Sequence, residues 1–259
     1  MAARLLAGEI AEWAHWYRPT GLPIIDLASF ARSQREWELA DLILAGSDFV
    51  GQSLVACGVS PSRIAVIPYG IDIPACPARM PDYAGDRPLR LLFAGASDLR
   101  KGIHHLLRAV DRLGPRAVEL RVAGGVGLKP EIVTRYAATA RFLGQVPRQD
   151  MARHFDWADA FVLPSLVEGS ATVTYEALAR RLPVVATPNA GSIVTDDVEG
   201  RIVAPASAAA LVEALSAYVD DPALLRRHAA GARAARERAS FARYARDLTE
   251  TLCARSPLR

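Results

Sequence analysis

From residue 89 onward the chain alternates short apolar runs with helical spacers, and this alternation leaves few architectures open. LRLLFAG (89–95), VELRVAGG (118–125), RFLGQV (141–146), AFVLPS (160–165), PVVATP (183–188) and GRIVAP (200–205) each read as a strand. KGIHHLLRAVDRL (101–113) places Ile103, Leu106, Leu107 and Val110 on one helical stripe. Further helices are expected over 131–138, 147–158, 172–181, 207–219 and 222–238, with Pro147 at a helix-entry position. Strands of four to eight apolar residues between helical spacers are the pattern of a parallel sheet covered on both faces. The expected fold class is α/β with a doubly wound parallel sheet. Such sheets bind ligands at the carboxyl ends of their strands. The loops after 95, 124, 144, 164 and 187 are therefore the places for a site.

Upstream the pattern weakens. Residues 73–88 hold four prolines and read as a linker. Before them, LILAGS (42–47) and IAVIP (64–68) read as strands around a helix, DFVGQSLVACG (48–58). Residues 1–40 are mostly helical, with Trp13, Trp16, Tyr17 and Trp37. About 70 residues are too few for a second doubly wound domain of ordinary size, so the N-terminal α/β portion is expected to be incomplete. No internal repeat is found.

Composition narrows the function classes. The chain is 51% hydrophobic and 23% charged, which implies a buried core. A net charge of +3 makes no case for a nucleic-acid surface. Cys57, Cys76 and Cys253 are far apart and form no CxxC, so a reducing compartment fits and no zinc site is expected. The start carries Glu9 and Glu12 where a signal peptide needs an apolar run, and no window approaches 18 apolar residues. The expected location is cytoplasmic, with peripheral association at the inner face of a membrane left open.

Two stretches carry the chemistry. The first, EGSATVTYE (168–176), joins a strand to a helix with an acid at each end and small residues between. Glu168 falls where a ligand crevice is expected, and Gly169 to Thr172 let backbone approach a ligand closely. The helix that follows offers N–H groups without internal partners and a dipole that favours anions. Glu176, one turn in, can accept two hydroxyls of a vicinal diol. The plainer alternative is a Glu176–Arg180 surface pair with a solvated Glu168. The second stretch, GASDLRKG (95–102), sets Arg100 and Lys101 at a helix entrance, where free N–H groups and cations suit a pyrophosphate. It is neither GxGxxG nor a P-loop, and exposed charges explain it equally. Gly124, Gly125 and Gly127 fit a tight turn. His104 and His105 read as packed or solvent-facing rather than as site residues, and His154 and His228 as ordinary helix residues. There is no D-x-D and no G-x-S-x-G.

Taken together, these pieces resemble the retaining glycosyltransferases of the GT-B fold, in the large group 1 family. The resemblance runs from about residue 38 to 252. Its segments are 40–72, LLFAGASDLRKGIHHLLRAV (91–110) and, most specifically, 142–187, which holds the family's E-x(7)-E signature as Glu168 and Glu176. It implies a Rossmann-like C-terminal half over 89–240, an N-terminal remnant over 1–72 and a helix over 241–259 crossing back to it. It also implies roles. Glu176 holds the ribose of a nucleotide diphosphate-sugar and Glu168 the sugar ring. Arg100 and Lys101 neutralise the diphosphate, with Gly95 in the phosphate loop and the N–H groups of Ser170, Ala171 and Thr172 assisting. The turn at Gly144–Val146 meets the base. No metal and no separate cofactor is implied. The acceptor, whether glycan, lipid or small molecule, stays open.

This chain departs from the family in four places. Gly169-Ser170-Ala171 stands where the family has GFG-like text. Arg181 occupies a position usually held by glycine at a left-handed helix end. Ala96 follows the phosphate-loop glycine where some members have arginine, and Arg100 is the available substitute. Residues 1–72 are expected to correspond only to the tail of the family's N-terminal domain. The expectation is thus a glycosyltransferase, with a partner chain supplying the missing part as one route. The alternatives are a donor-binding or assembly module docking through Trp13, Trp16 and Trp37, or a sugar-nucleotide epimerase.

Overall fold

The computed structural model describes residues 2–23, 27–73 and 80–255. Cys76 and residues 74–79 of the expected linker lie outside the described residues. The chain opens with helices α1 (Ala2–Trp13) and α2 (Leu27–Leu39). Strand β1 (Ile43–Ala45), helix α3 (Asp48–Ala56) and strand β2 (Ile64–Val66) follow. The two strands pair in parallel, Ile43 against Ile64, as a small separate sheet. Ser47 begins α3 by accepting the Val50 N–H at 3.3 Å, which satisfies one of the donors a helix start leaves open.

The larger body comprises β3 (Leu89–Ala94), α4 (Ile103–Leu113), β4 (Val118–Ala123), α5 (Pro130–Arg135), β5 (Ala140–Gly144), α6 (Met151–Trp157), β6 (Ala160–Leu163), α7 (Thr172–Ala179), β7 (Val184–Ala186), β8 (Gly200–Ile202), α8 (Ala208–Asp220) and α9 (Pro222–Ala235). Its six strands are all parallel in the order β5-β4-β3-β6-β7-β8. The chain starts in the middle, steps outward through β4 to β5, then returns through α6 to β6 on the other side of β3. With right-handed crossovers this reversal puts α4 and α5 on one face and α6 and α7 on the other. It also opens a crevice beyond the carboxyl ends of β3 and β6, the switch point of the winding.

Burial explains the runs read as strands. Leu91, Leu92, Phe93, Leu120, Val122, Phe161, Val162, Val184 and Val185 are fully buried. Each such side chain contributes roughly 1.5–3 kcal/mol relative to exposure. Ile103, Leu106, Leu107 and Val110, the stripe read from sequence, are buried as well. Gly102 at the start of α4 has φ +68°, and a Cβ there would meet the Pro164 carbonyl at 2.1 Å, so only glycine fits. At the opposite, amino end of the sheet, Arg87 holds Asp159 in a two-pronged ion pair of 2.6 and 2.9 Å. Asp159 also accepts the Arg90 N–H at 2.8 Å. That stitch joins the starts of β3 and β6.

The termini of the chain pack differently from one another. Trp13, Trp16 and Tyr17 belong to the same apolar cluster as the large sheet. The backbone there is sewn to the loop after β4: Arg18 N–H donates to Gly127 O at 2.8 Å, and Lys129 N–H to Trp16 O at 2.9 Å. Trp37 packs instead on the small cluster of Ala45, Leu54 and Val59. Trp13 and Trp16 are thus core side chains, largely buried against the large sheet, which corrects the docking role considered for them. The last helix, α10 (Phe241–Arg255), begins against residues 68–71. Phe241 N–H donates to Ile71 O at 2.9 Å, and Arg243 Nη2 to Pro68 O at 3.1 Å. Among the described residues no helix is long and apolar enough to cross a membrane.

Candidate functional site

A cleft of about 380 Å³ opens at the switch point. Its floor is the ends of β3 and β4, Ala94-Gly95 and Ala123-Gly124. One wall is Lys101 and Glu168, and the opposite wall is Ser170, Ala171, Thr172, Val173 and Glu176 around the start of α7. Val146 and Met151 close one side. Gly124 has φ +137°, and a Cβ there would lie 2.0 Å from Gly95 O, so this position of the floor admits only glycine.

Glu168 is fixed by its loop. Leu166 N–H donates to Arg100 O at 2.8 Å, and Asn189 Nδ2 to Leu166 O at 2.7 Å. The carboxylate then bonds Lys101 Nζ and, at 2.7 Å, Arg100 Nη1. Burial pushes the Glu168 carboxyl up. The Lys101 hydrogen bond and the Lys101 and Arg100 charges outweigh it, and the group sits below its ordinary range, firmly ionised. Asp98 caps the Lys101 N–H at 2.9 Å and holds this turn in place.

Glu176 has the opposite environment. Burial raises its pKa, and the charges of Arg148 and Arg180 offset this only in part. Its carboxylate makes no hydrogen bond or ion pair among the described residues. On the same wall the N–H groups of Ser170, Thr172 and Val173 are also without partners among the described residues, as expected around a helix start.

Lys101, Glu168, Glu176, Gly95, Ser170, Ala171, Thr172 and Val146 therefore converge on one cleft, and three residues expected there do not reach its wall. Arg100 lies behind Glu168, its guanidinium taken by that carboxylate and by Val167 O at 3.2 Å. Gly169 accepts the Ser47 hydroxyl at 2.5 Å, a bond that ties the small sheet unit to the Glu168 loop. Gly144 shapes the turn after β5 with φ +68° and accepts the Gly124 N–H at 2.7 Å. One further correction concerns Ala171. Its N–H donates to Ala190 O at 3.0 Å and is not free for an anion.

The departures from family text have local explanations. The Ser170 hydroxyl bonds Tyr175 Oη at 2.7 Å and Gly191 O at 3.2 Å, bracing the loop where a larger residue is usual. Arg181 adopts the left-handed conformation, φ +63°. Its N–H reaches Leu178 O at 2.9 Å and the Leu182 N–H reaches Ala177 O at 3.0 Å, the paired bonds that close a helix over a left-handed residue.

Sequence reasoning missed Met151 and Val173 in the wall, Ser47 behind it, and the partner of the two histidines. His104 and His105 are buried and turn away from the cleft. Both Nε2 atoms lie 2.7 Å from the same oxygen of Glu9, and Tyr17 Oη bonds His104 Nδ1 at 2.6 Å. Glu9, His104 and His105 are the one group among the described residues with the donor set for a metal ion. Their spacing is that of hydrogen bonds, so the cluster is a clasp between α1 and α4. No signal in the sequence links position 9 to 104.

A doubly wound parallel sheet with a cleft at its switch point is a Rossmann-like arrangement. HepE from Anabaena, solved with UDP, superposes with a TM-score of 0.74 at 20% identity, over 98% of this chain and 77% of that one. The profile described as Glycosyl transferases group 1 matches residues 88–221, and the chain belongs to that family. It is 33% identical to a D-inositol 3-phosphate glycosyltransferase of Xylanimonas cellulosilytica, over 77% of this chain and 53% of the relative. It is also 33% identical to a glycogen synthase of Mycobacterium tuberculosis, over 68% of this chain and 44% of the relative. The chain thus spans about half the length of the relatives it matches.

Proposed function

We propose that the cleft binds a nucleotide diphosphate-sugar and that the chain transfers the sugar to an acceptor with retention at the anomeric carbon. The observation that carries this reading is Glu176: a half-buried carboxylate without a partner, facing a cation-bearing wall across a helix start. An ionised acid in that setting is stabilised by two hydroxyl donors, as a ribose presents. Lys101 and the N–H groups of Ser170, Thr172 and Val173 surround the space for a diphosphate. They meet the charge that grows on it as the glycosidic bond breaks. Lys101 leans on Glu168 in the free cleft. A bound diphosphate competes for that ammonium and releases a carboxylate oxygen to accept a sugar hydroxyl. Arg100 acts through Glu168 as a positioning residue.

Relatives and neighbours support the donor class, since HepE has been solved with UDP and with UDP-glucose. Retention rests on the family resemblance, and the acceptor is left as a hydroxyl-bearing glycan, lipid or small molecule. Calorimetry with uridine and guanosine diphosphates tests binding, and transfer from a panel of nucleotide-sugars tests turnover. The expected result is micromolar to millimolar binding of one diphosphate and a product whose anomeric proton coupling matches the donor's. Binding of neither nucleotide rejects the reading. Binding with no turnover on any acceptor reduces it to a donor-binding module.

A further inference from the structure

On the α6 face, the outer strands of the large sheet carry a row of like charges. Parallel register sets Leu92 beside Arg121, and Arg121 beside Arg141. Arg90 shares this face, two residues before Leu92. Like charges directly opposed on neighbouring strands repel and destabilise the pair. Among the described residues none of the three is ion-paired, and the one carboxylate in the row is Glu119, opposite Arg90.

Here α6 overlies Arg121 through Trp157 but leaves Arg141 exposed. The result is a groove of about 500 Å³ with Arg121 and Arg141 on its floor, Arg153, His154 and Trp157 of α6 on one wall, and the turn at Gln145–Pro147 at its end. Arg121 lies over Trp157, its guanidinium carbon 3.7 Å from the ring centroid. Stacking of that kind fixes the guanidinium plane and leaves its N–H edge for an oxyanion. Two buried polar atoms here, Arg121 Nε and His154 Nδ1, have no hydrogen-bond partner among the described residues. Burial, with Arg141 and Arg90 adding to it against Glu119, pushes the Arg121 guanidinium below its ordinary pKa. Arg153 has only a loose contact with Asp150, at 3.8 Å.

We infer that this groove is a second anion site, distinct from the donor cleft, which binds the phosphate group of a soluble phosphoester or of a lipid headgroup through Arg121, Arg141 and Arg153. Neighbouring strands lie roughly 4.8 Å apart, so the Arg121 and Arg141 guanidiniums can grip one phosphate from two sides. A carboxylate ligand would leave most of this charge unmet, whereas a phosphate monoester brings about −1.5 to −2. The inference does not depend on the donor reading, since only Val146 is shared between groove and cleft.

The test reads Trp157 directly. The chain has four tryptophans, so its indole N–H resonances are few and Trp157→Phe assigns the relevant one. Inorganic pyrophosphate is titrated at constant ionic strength into the Lys101→Ala protein, whose donor cleft is weakened. A saturable shift of the Trp157 resonance is expected, with affinity at least tenfold lower after Arg141→Ala and Arg153→Ala together. Both arginines are exposed, and unchanged signals from Trp13, Trp16 and Trp37 verify that the double variant is folded. A parallel arm adds phosphatidylglycerol vesicles in phosphatidylcholine. Loss of the signal there, abolished by the double variant and without a pyrophosphate response, assigns the site to a headgroup. No response to either probe, or the same response in the double variant, overturns the inference.

Discussion

Replacing Glu176 is expected to move binding and stability in opposite directions. In the proposed complex its ionised carboxylate accepts two hydroxyls, each a bond to a charged group worth about 1.5–3 kcal/mol. The acid is already partly desolvated and unpartnered, so little is lost on binding to offset that gain. Glu176→Ala is therefore expected to cost at least about 3 kcal/mol, or roughly 150-fold or more in the Kd for the nucleoside diphosphate. Stability runs the other way. Burial raises the Glu176 pKa above its ordinary 4.5, so the fold favours the protonated acid. That contribution is complete below pH 4.5 and is lost as pH rises through the higher folded value. At pH 7 the ionised acid is a cost, and Glu176→Gln is expected to raise Tm while weakening binding. Isothermal calorimetry and thermal unfolding at pH 7 measure the two effects. A Glu176→Ala protein that binds within twofold of the parent, or a Glu176→Gln protein that melts lower, refutes the argument.

Other positions give separate checks. Lys101→Ala removes the cation in the cleft and is expected to weaken diphosphate binding by about 2 kcal/mol while leaving uridine binding unchanged, so the ratio of the two Kd values isolates the phosphate contact. Asp159→Ala leaves Arg87 without its buried partner and is expected to lower stability by about 3 kcal/mol in urea unfolding, with diphosphate affinity unchanged. Burial opposes ionisation of Glu9, but the bonds from His104 and His105 prevail and hold it at about 2; burial holds His104 at about 4 against the pull of Glu9. Both lie below the ordinary values of 4.5 and 6.5, so the stability they contribute is complete above pH 6.5 and drains as pH falls. His104→Gln is expected to melt lower at pH 7 but to lose most of the Tm slope between pH 6.5 and 4; a full remaining slope assigns it to other groups.

The large sheet was readable because its strands are dominated by short apolar runs, with β6 and β7 apolar on both faces, and helical spacers separate them. The six strands come out where their runs lie; each ends one to three residues early where a loop takes over, and β5 begins one residue ahead of its run. The convergence of Lys101, Glu168 and Glu176 was readable too, since winding order alone sends the ends of β3 and β6 to one crevice. What sequence could not show is which donors and acceptors the protein already uses. Arg100 and Lys101 look equivalent in text, yet one reaches the cleft and the other is spent behind Glu168. The Ala171 N–H is consumed by a carbonyl 19 residues away in sequence, at Ala190. The clasp of Glu9 with His104 and His105 depends on α1 docking against α4, a tertiary choice that no local spacing encodes. The arginine row is a register effect: Arg90, Arg121 and Arg141 become neighbours only once β3, β4 and β5 align.

The Arg87–Asp159 stitch has a consequence for how the chain tolerates change. β3 is six residues long, and at about 3.3 Å per residue the stitch lies roughly 20 Å from the cleft along the strands. Perturbations that far apart and without common partners combine independently. Recognition and robustness are thus insulated at opposite poles of one sheet. A lineage acquiring a new ligand can erode stability at one pole and restore it at the other, and neither adjustment has to anticipate the other.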